Sequence, residues 1–277
     1  MTTIHPNISN PDYHANPSIS KSGLDLIARA PALYRYRRDN PTPRTDAMRW
    51  GSLVHTAILE PDKFADSVII IPDDAPSRPT KKQREAKKPS TATLEAIAWW
   101  QAFDAAVIDR EPITIDEHAE LLATRDAAWA DPIARKALSQ IELAETSIFW
   151  KSNDIECRCR PDAILTSGAI LDLKTTRDAA PDPFAKSIAA FRYHVQAAFY
   201  SDGYAEAFGE MPRGFMFLAI EKDPPYLSAC YVATDAMIMR GRMEYQRDLD
   251  TYARCLETGE WPGLTRGVTE IDLPKWA

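Results

Sequence analysis

Cysteine is scarce in this chain. Its four residues, Cys157, Cys159, Cys230 and Cys255, are too few and too scattered for a disulfide scaffold and suit a reducing compartment. No run of about eighteen apolar residues occurs, so a membrane-crossing helix is not expected. The opening stretch, MTTIHPNISNPDYHANPS, is polar and proline-bearing and has no apolar segment behind a basic start. A secretory signal is therefore not expected, and the cytoplasm is the expected compartment. Basic charge is also short: 33 Lys and Arg stand against 40 Asp and Glu, a net of −7. Taken as a total, that opposes a polyanionic partner. The 45% hydrophobic and 26% charged content excludes a disordered chain.

The charge is unevenly placed, and a total says little about local potential. Between Ala28 and Trp50 six arginines (Arg29, Arg35, Arg37, Arg38, Arg44 and Arg49) face only Asp39 and Asp46. Between Arg78 and Ser90, RPTKKQREAKKPS sets six basic residues against Glu85. Clustered cations can hold a polyanion on one face of an acidic protein. Either cluster alone fits a solvated loop equally well.

The pattern along the chain predicts an α/β core carrying a helical N-terminal elaboration. Tyr13 to Asn16 reads as irregular. Short helices are expected to about Arg29 and from Pro31, followed by one from Ala47 to Leu59 with an apolar stripe of Trp50, Leu53, Val54, Ala57 and Ile58. A strand is expected at 68–71 and an exposed loop over 72–90. Two Ala-rich helices are expected at 91–108 and 116–138. Three strands then follow, at 146–151, 155–166 and 169–175, separated by Ser152-Asn153-Asp154 and by Ser167-Gly168. A long helical stretch ends near Phe208, strands at 214–221 and 226–233 flank a proline turn, and Thr234 caps a helix to about Thr258. This divides a single domain into a mainly helical part (1–140), an α/β core (141–258) and an irregular tail (259–277).

The segment CRPDAILTSGAILDLKTT carries the most chemistry. Asp172 and Lys174 are two apart on an expected strand and so share a face. Asp162, ten residues before Asp172, joins them if the two strands are neighbours. Two carboxylates can hold a hard cation through oxygen while leaving room for water and phosphate, and an ammonium can stabilise charge developing on the phosphate. A surface salt bridge is the alternative for Asp-x-Lys. The apolar run Ala169-Ile170-Leu171-Asp172-Leu173 opposes it, because an unpaired carboxylate in a buried strand costs several kcal/mol. On the 47–59 helix Gly51 lies one turn from His55 and leaves room beside the imidazole. Gln196 and Tyr200 share a helical face. Each of these also fits an ordinary helix residue.

Taken in order, Gly51-x-x-x-His55, Arg160-Pro161-Asp162, Asp172-Leu173-Lys174 and Gln196-x-x-x-Tyr200 resemble the motifs of the RecB-like branch of the PD-(D/E)XK nucleases. The stretch Tyr13-His14-Ala15-Asn16-Pro17-Ser18-Ile19-Ser20-Lys21-Ser22-Gly23 through Ala30-Pro31, with Trp50 to His55, resembles more narrowly the RecE-type exodeoxyribonuclease VIII family of phages and prophages. The likeness spans Tyr13 to Ala233. It implies the PD-(D/E)XK fold, a mixed central sheet flanked by helices. It further implies that His55, Asp162 and Asp172 ligate Mg²⁺ (or Mn²⁺) with the Leu173 carbonyl assisting. Lys174 would be the catalytic lysine, supported by Gln196 and Tyr200. Processive 5′→3′ digestion of linear double-stranded DNA is implied, by a homo-oligomer that could form a ring and work with a single-strand annealing protein. An endonuclease, or a DNA-binding protein without catalysis, would share these motifs. Glu145 reads more readily as the start of a strand than as a site carboxylate. Some relatives hold an iron–sulfur cluster with one early and three late cysteines. No cysteine precedes Cys157 here, so no cluster is expected, and Cys157 and Cys159 are read as packing residues.

Overall fold

The structure, a computed structural model, describes residues 2–273 apart from Asn7, Asp109 and Arg266. In chain order its elements are β1 (Thr3–His5), α1 (Asn10–Ala15), α2 (Lys21–Arg29), α3 (Pro31–Asp39), α4 (Asp46–Leu59), α5 (Pro61–Ser67), β2 (Val68–Ile70), α6 (Lys81–Arg84), α7 (Thr91–Ala106), β3 (Glu111–Ile113), α8 (Ile115–Ala130) and α9 (Pro132–Leu138). There follow β4 (Ile141–Ala144), β5 (Ser147–Ser152), β6 (Ile155–Cys159), β7 (Ala163–Leu165), β8 (Ile170–Thr176), α10 (Pro181–Ala190), α11 (Tyr193–Phe208), β9 (Phe215–Glu221), β10 (Ser228–Val232) and α12 (Asp235–Thr258). The helix starts follow local chemistry. The side chains of Ser20, Thr45, Ser90, Thr114 and Thr234 each accept a backbone N–H of the first turn, and proline occupies the first turn of α3, α5, α9 and α10.

The central sheet has five strands in the order β10-β9-β8-β7-β4. Only the β8–β9 pair is parallel. Alternation sorts its side chains into two cores. Leu171, Leu173, Leu218 and Ile220 pack on one face with Leu53, Val54, Ala57 and Ile58 of α4 and Leu121 of α8. Ile170, Phe215, Phe217 and Ala219 pack on the other with Phe184 of α10 and Ala197 of α11. A second sheet, β1-β5-β6, covers α11 through Trp150, Cys157, Cys159 and Phe199. Both thiols are fully buried there, and burial pushes that of Cys157 up to about 12, so they serve packing and stay protonated.

Several boundaries differ from the expected ones. Residues 155–166 do not form one strand. The chain leaves β6 at Arg160-Pro161 and begins β7 in a different sheet, because proline has no N–H to continue a ladder. Residues 116–138 break at Asp131-Pro132, where the Asp131 carboxylate caps α9. The helical stretch before Phe208 breaks at Arg192, which adopts a left-handed conformation (φ 53°) and is held by Asp25 at 2.9 Å and Asp248 at 2.5 Å. Tyr13 to Ala15 belong to α1 rather than to irregular chain, while β1, β3 and β4 are additional strands and α6 forms within the basic loop. Beyond α1, Ile19 takes the N–H of Arg158 and gives its own to Glu156, extending the β6 edge. The described residues of the tail are irregular as far as residue 273, and residues 274–277 lie outside the described residues.

Candidate metal centre

The site forms where β7 stops short and β8 runs on. Antiparallel pairing of Ala163 with Leu171 and Ile164 with Ile170 would place Pro161 opposite Leu173. The chain has turned away there, so Leu173 faces a vacated edge. In the register set by the Leu165 N–H donating to Ala169, both the N–H and the carbonyl of Leu173 point to that edge. The carboxylate of Asp162 fills the gap: its Oδ2 accepts the Leu173 N–H at 2.7 Å. The other oxygen, Oδ1, lies 3.6 Å from His55 Nδ1, brought in from α4.

Glu145 completes the group. At the end of β4 its backbone turns left-handed (φ 48°) and its N–H donates to the Asp162 carbonyl at 3.0 Å. This puts Oε1 3.8 Å from His55 Nδ1. One ligand atom each from His55, Glu145 and Asp162 lies within 4.8 Å of the others. Glu145 is thus outside any strand and inside the site, contrary to the sequence expectation. The only sequence signal was an acidic residue directly before the buried run Thr146 to Trp150, which a strand start carries as readily.

Asp172 and Lys174 project from β8 on the α11 face, as their spacing predicts. Asp172 is fully buried. Its Oδ1 accepts from Gln196 Nε2 at 2.6 Å, and Lys174 Nζ stands 2.5 Å from Oδ2. That second contact is an ion pair without regular hydrogen-bond alignment, leaving Oδ2 with no well-directed donor. Asp172 is not among the three residues grouped within 4.8 Å, yet it stands close enough to Asp162 and His55 to interact with both charges. Tyr200, one turn beyond Gln196, packs into the core on both sides, and its phenol is pushed well up by burial. Gly51 has no atom within 4 Å of where a Cβ would sit, so the approach beside α4 is open.

The electrostatics match the crowding of acids. Burial pushes the carboxyl pKa of Asp162 and of Asp172 up, against the opposing pull of His55 and Lys174 respectively. Burial disfavours the charged imidazole of His55, but Asp162 and Glu145 outweigh it and hold the pKa above the usual value. Lys174 is likewise held above its ordinary range by Asp172 and Asp162 despite burial. Two carboxylates and an imidazole whose ligand atoms lie within 4.8 Å of one another concentrate negative charge that a divalent cation relieves. One imidazole and carboxylate oxygens form a donor set that accepts Mg²⁺ and, through the nitrogen, Mn²⁺. The residues fit the metal.

Among the described residues no helix is long and apolar enough to cross a membrane. None of the curated proteins matches the sequence. A crystal structure of a protein from Eubacterium rectale, named "Putative exonuclease", superposes with a TM-score of 0.61 at 16% identity, covering 97% of this chain and 96% of that one. With a family model described as PDDEXK-like, the mixed sheet between helical layers is a PD-(D/E)XK nuclease-like fold. That model matches residues 26–271, nearly the whole chain, and the protein belongs to that family, the PDDEXK-like domain of unknown function (DUF3799).

Proposed function

We propose that this protein is a metal-dependent deoxyribonuclease that hydrolyses phosphodiester bonds from the ends of linear duplex DNA. The observation that carries the reading is the convergence of His55, Glu145 and Asp162 beside the Asp172–Lys174 pair. In this reading His55, Glu145 and Asp162 hold Mg²⁺, or Mn²⁺ in its place, with Asp172 and the Leu173 carbonyl at the same edge. The bound cation supplies Lewis-acid activation of water and neutralises phosphate charge. Lys174 hydrogen-bonds the attacking water or the non-bridging phosphate oxygens, where its ammonium offsets the extra negative charge of the transition state. Gln196 fixes the Asp172 carboxylate so that Lys174 keeps one position, and Tyr200 backs that helix face. The Leu173 N–H does the same for Asp162. Water adds across one P–O bond, leaving a phosphate monoester end and a hydroxyl end.

The end-dependent part of the reading rests on the likeness of the N-terminal stretch to the RecE-type family and on the fold shared with a protein named as an exonuclease. It brings with it 5′→3′ polarity, a ring-shaped homo-oligomer, a single-strand annealing partner and a cytoplasmic role in phage-type recombination. Linear and closed circular duplexes incubated with Mg²⁺, Mn²⁺ or EDTA test it. Loss of linear DNA alone, abolished by EDTA, is expected. Loss of both forms would make the protein an endonuclease, and loss of neither a binder.

The exposed basic segment around α6 is, in this reading, a contact for the duplex backbone. Lys82, Lys87 and Lys88 make no ion pair among the described residues, and Lys81 only a loose one, at 3.9 Å to Glu85. Neutralising all four should weaken duplex binding and lower the slope of log K against log salt by about 0.9 for each phosphate that is no longer neutralised. An unchanged slope would return the segment to a solvated face.

A further inference from the structure

Beyond Lys174, β8 continues as Thr175 and Thr176 into the wall of a second recess of about 600 Å³. It is also lined by Arg177, Asp178, Phe184, Phe191, Tyr193 and Lys222. The Tyr193 ring joins the two places: Lys174 Nζ stands 4.8 Å from its centroid, and Tyr193 lines the recess. Phe191 stacks on Tyr193 with centroids 5.6 Å apart and planes 28° from parallel, yet it is 59% exposed. The exposed ring is backed by a second ring rather than standing alone. Lys21 Nζ donates to the Phe191 carbonyl at 2.7 Å, fixing the ledge. Arg177 and Lys222 have no ion-pair partner among the described residues, whereas the Asp178 carboxylate is turned to the Ala180 N–H at 2.9 Å. The recess therefore offers an aromatic face and two free cations next to the reacting centre.

We propose that this recess is a subsite for an unpaired nucleotide of the strand engaged at the metal centre, its base stacked on the Phe191–Tyr193 ledge and its phosphate held by Arg177 and Lys222. A duplex keeps its base faces covered, so only a nucleotide that has left the stack can use the ledge. Aromatic platforms with flanking cations bind single strands in this sequence-tolerant way because every base has a π-face. The volume suits one nucleotide. The proposal rests on the nuclease reading for the identity of the polymer.

The test is binding in EDTA, where no strand is cut, by the full chain to a single-stranded octamer carrying one 2-aminopurine and to a blunt hairpin duplex. Phe191→Ala is expected to weaken the octamer about tenfold while leaving the duplex within about twofold. Binding should quench 2-aminopurine fluorescence in the parent protein and not in Phe191→Ala. Phe191→Leu, which keeps apolar bulk on Tyr193, should lose the quench as well. Unchanged octamer affinity and quench in Phe191→Ala, or an equal loss for duplex and octamer, would overturn the subsite. The two readings fail separately. A protein that cuts DNA but binds the octamer without Phe191 loses only the subsite. One that never cuts yet depends on Phe191 keeps the subsite and loses the hydrolytic reading.

Discussion

Asp162→Asn should lower cleavage of linear duplex by about a thousandfold or more, the several kcal/mol that a cation contributes to phosphoryl chemistry, and should leave the fold intact. The two effects separate because Asp162 does two things. One oxygen closes the ladder at Leu173, and an asparagine carbonyl accepts that N–H equally well. The other oxygen gives negative charge beside His55, which the amide lacks. Burial already disfavours the Asp162 carboxylate, so neutralising it removes a desolvation cost rather than adding one. Thermal unfolding close to the parent together with the lost rate is the expected pair of results. A near-parental rate would remove Asp162 from the chemistry.

The largest expected stability effect lies in the packing of two helices. Helices α11 and α12 cross where Gly241 meets the backbone of α11, and a Cβ built there would stand 2.0 Å from the His194 carbonyl oxygen. Backbone cannot swing aside as a long side chain can, so Gly241→Ala must push the helices apart or tilt them. That disturbs the packing of Tyr245 and Leu249 against Phe199 and Val195. Overpacking of this kind costs about 3 kcal/mol, and more where backbone resists. Chemical denaturation should show that loss, and because Gln196 rides on α11, cleavage should fall with it. A variant as stable as the parent would mean that the helices separate freely at this crossing.

What could be read in advance was whatever depends on neighbours along the chain. The i, i+2 relation of Asp172 and Lys174 put them on one face of β8, and Ser167-Gly168 marked the turn that brings β7 back beside β8. Gly168 has φ 79°, which a glycine adopts without strain. The split between β6 and β7 was also written locally, in Pro161, but the apolar residues on both sides masked it. Glu145 was not legible. Its place depends on β4 pairing with β7, a contact between segments whose alternation says nothing of register. The Arg192 break was hidden for a similar reason. Arginine seldom takes a left-handed backbone, and the carboxylates that hold it there, Asp25 and Asp248, come from α2 and α12.

The measurement that bears most directly on the metal centre is calorimetric titration of the protein with Mn²⁺, repeated on His55→Ala, Glu145→Gln and Asp162→Asn. Saturable uptake by the parent, competed by Mg²⁺ and sharply weakened in each of the three variants, is the predicted result. No uptake, or uptake that all three substitutions leave unchanged, would contradict the assignment of the cation to this cluster.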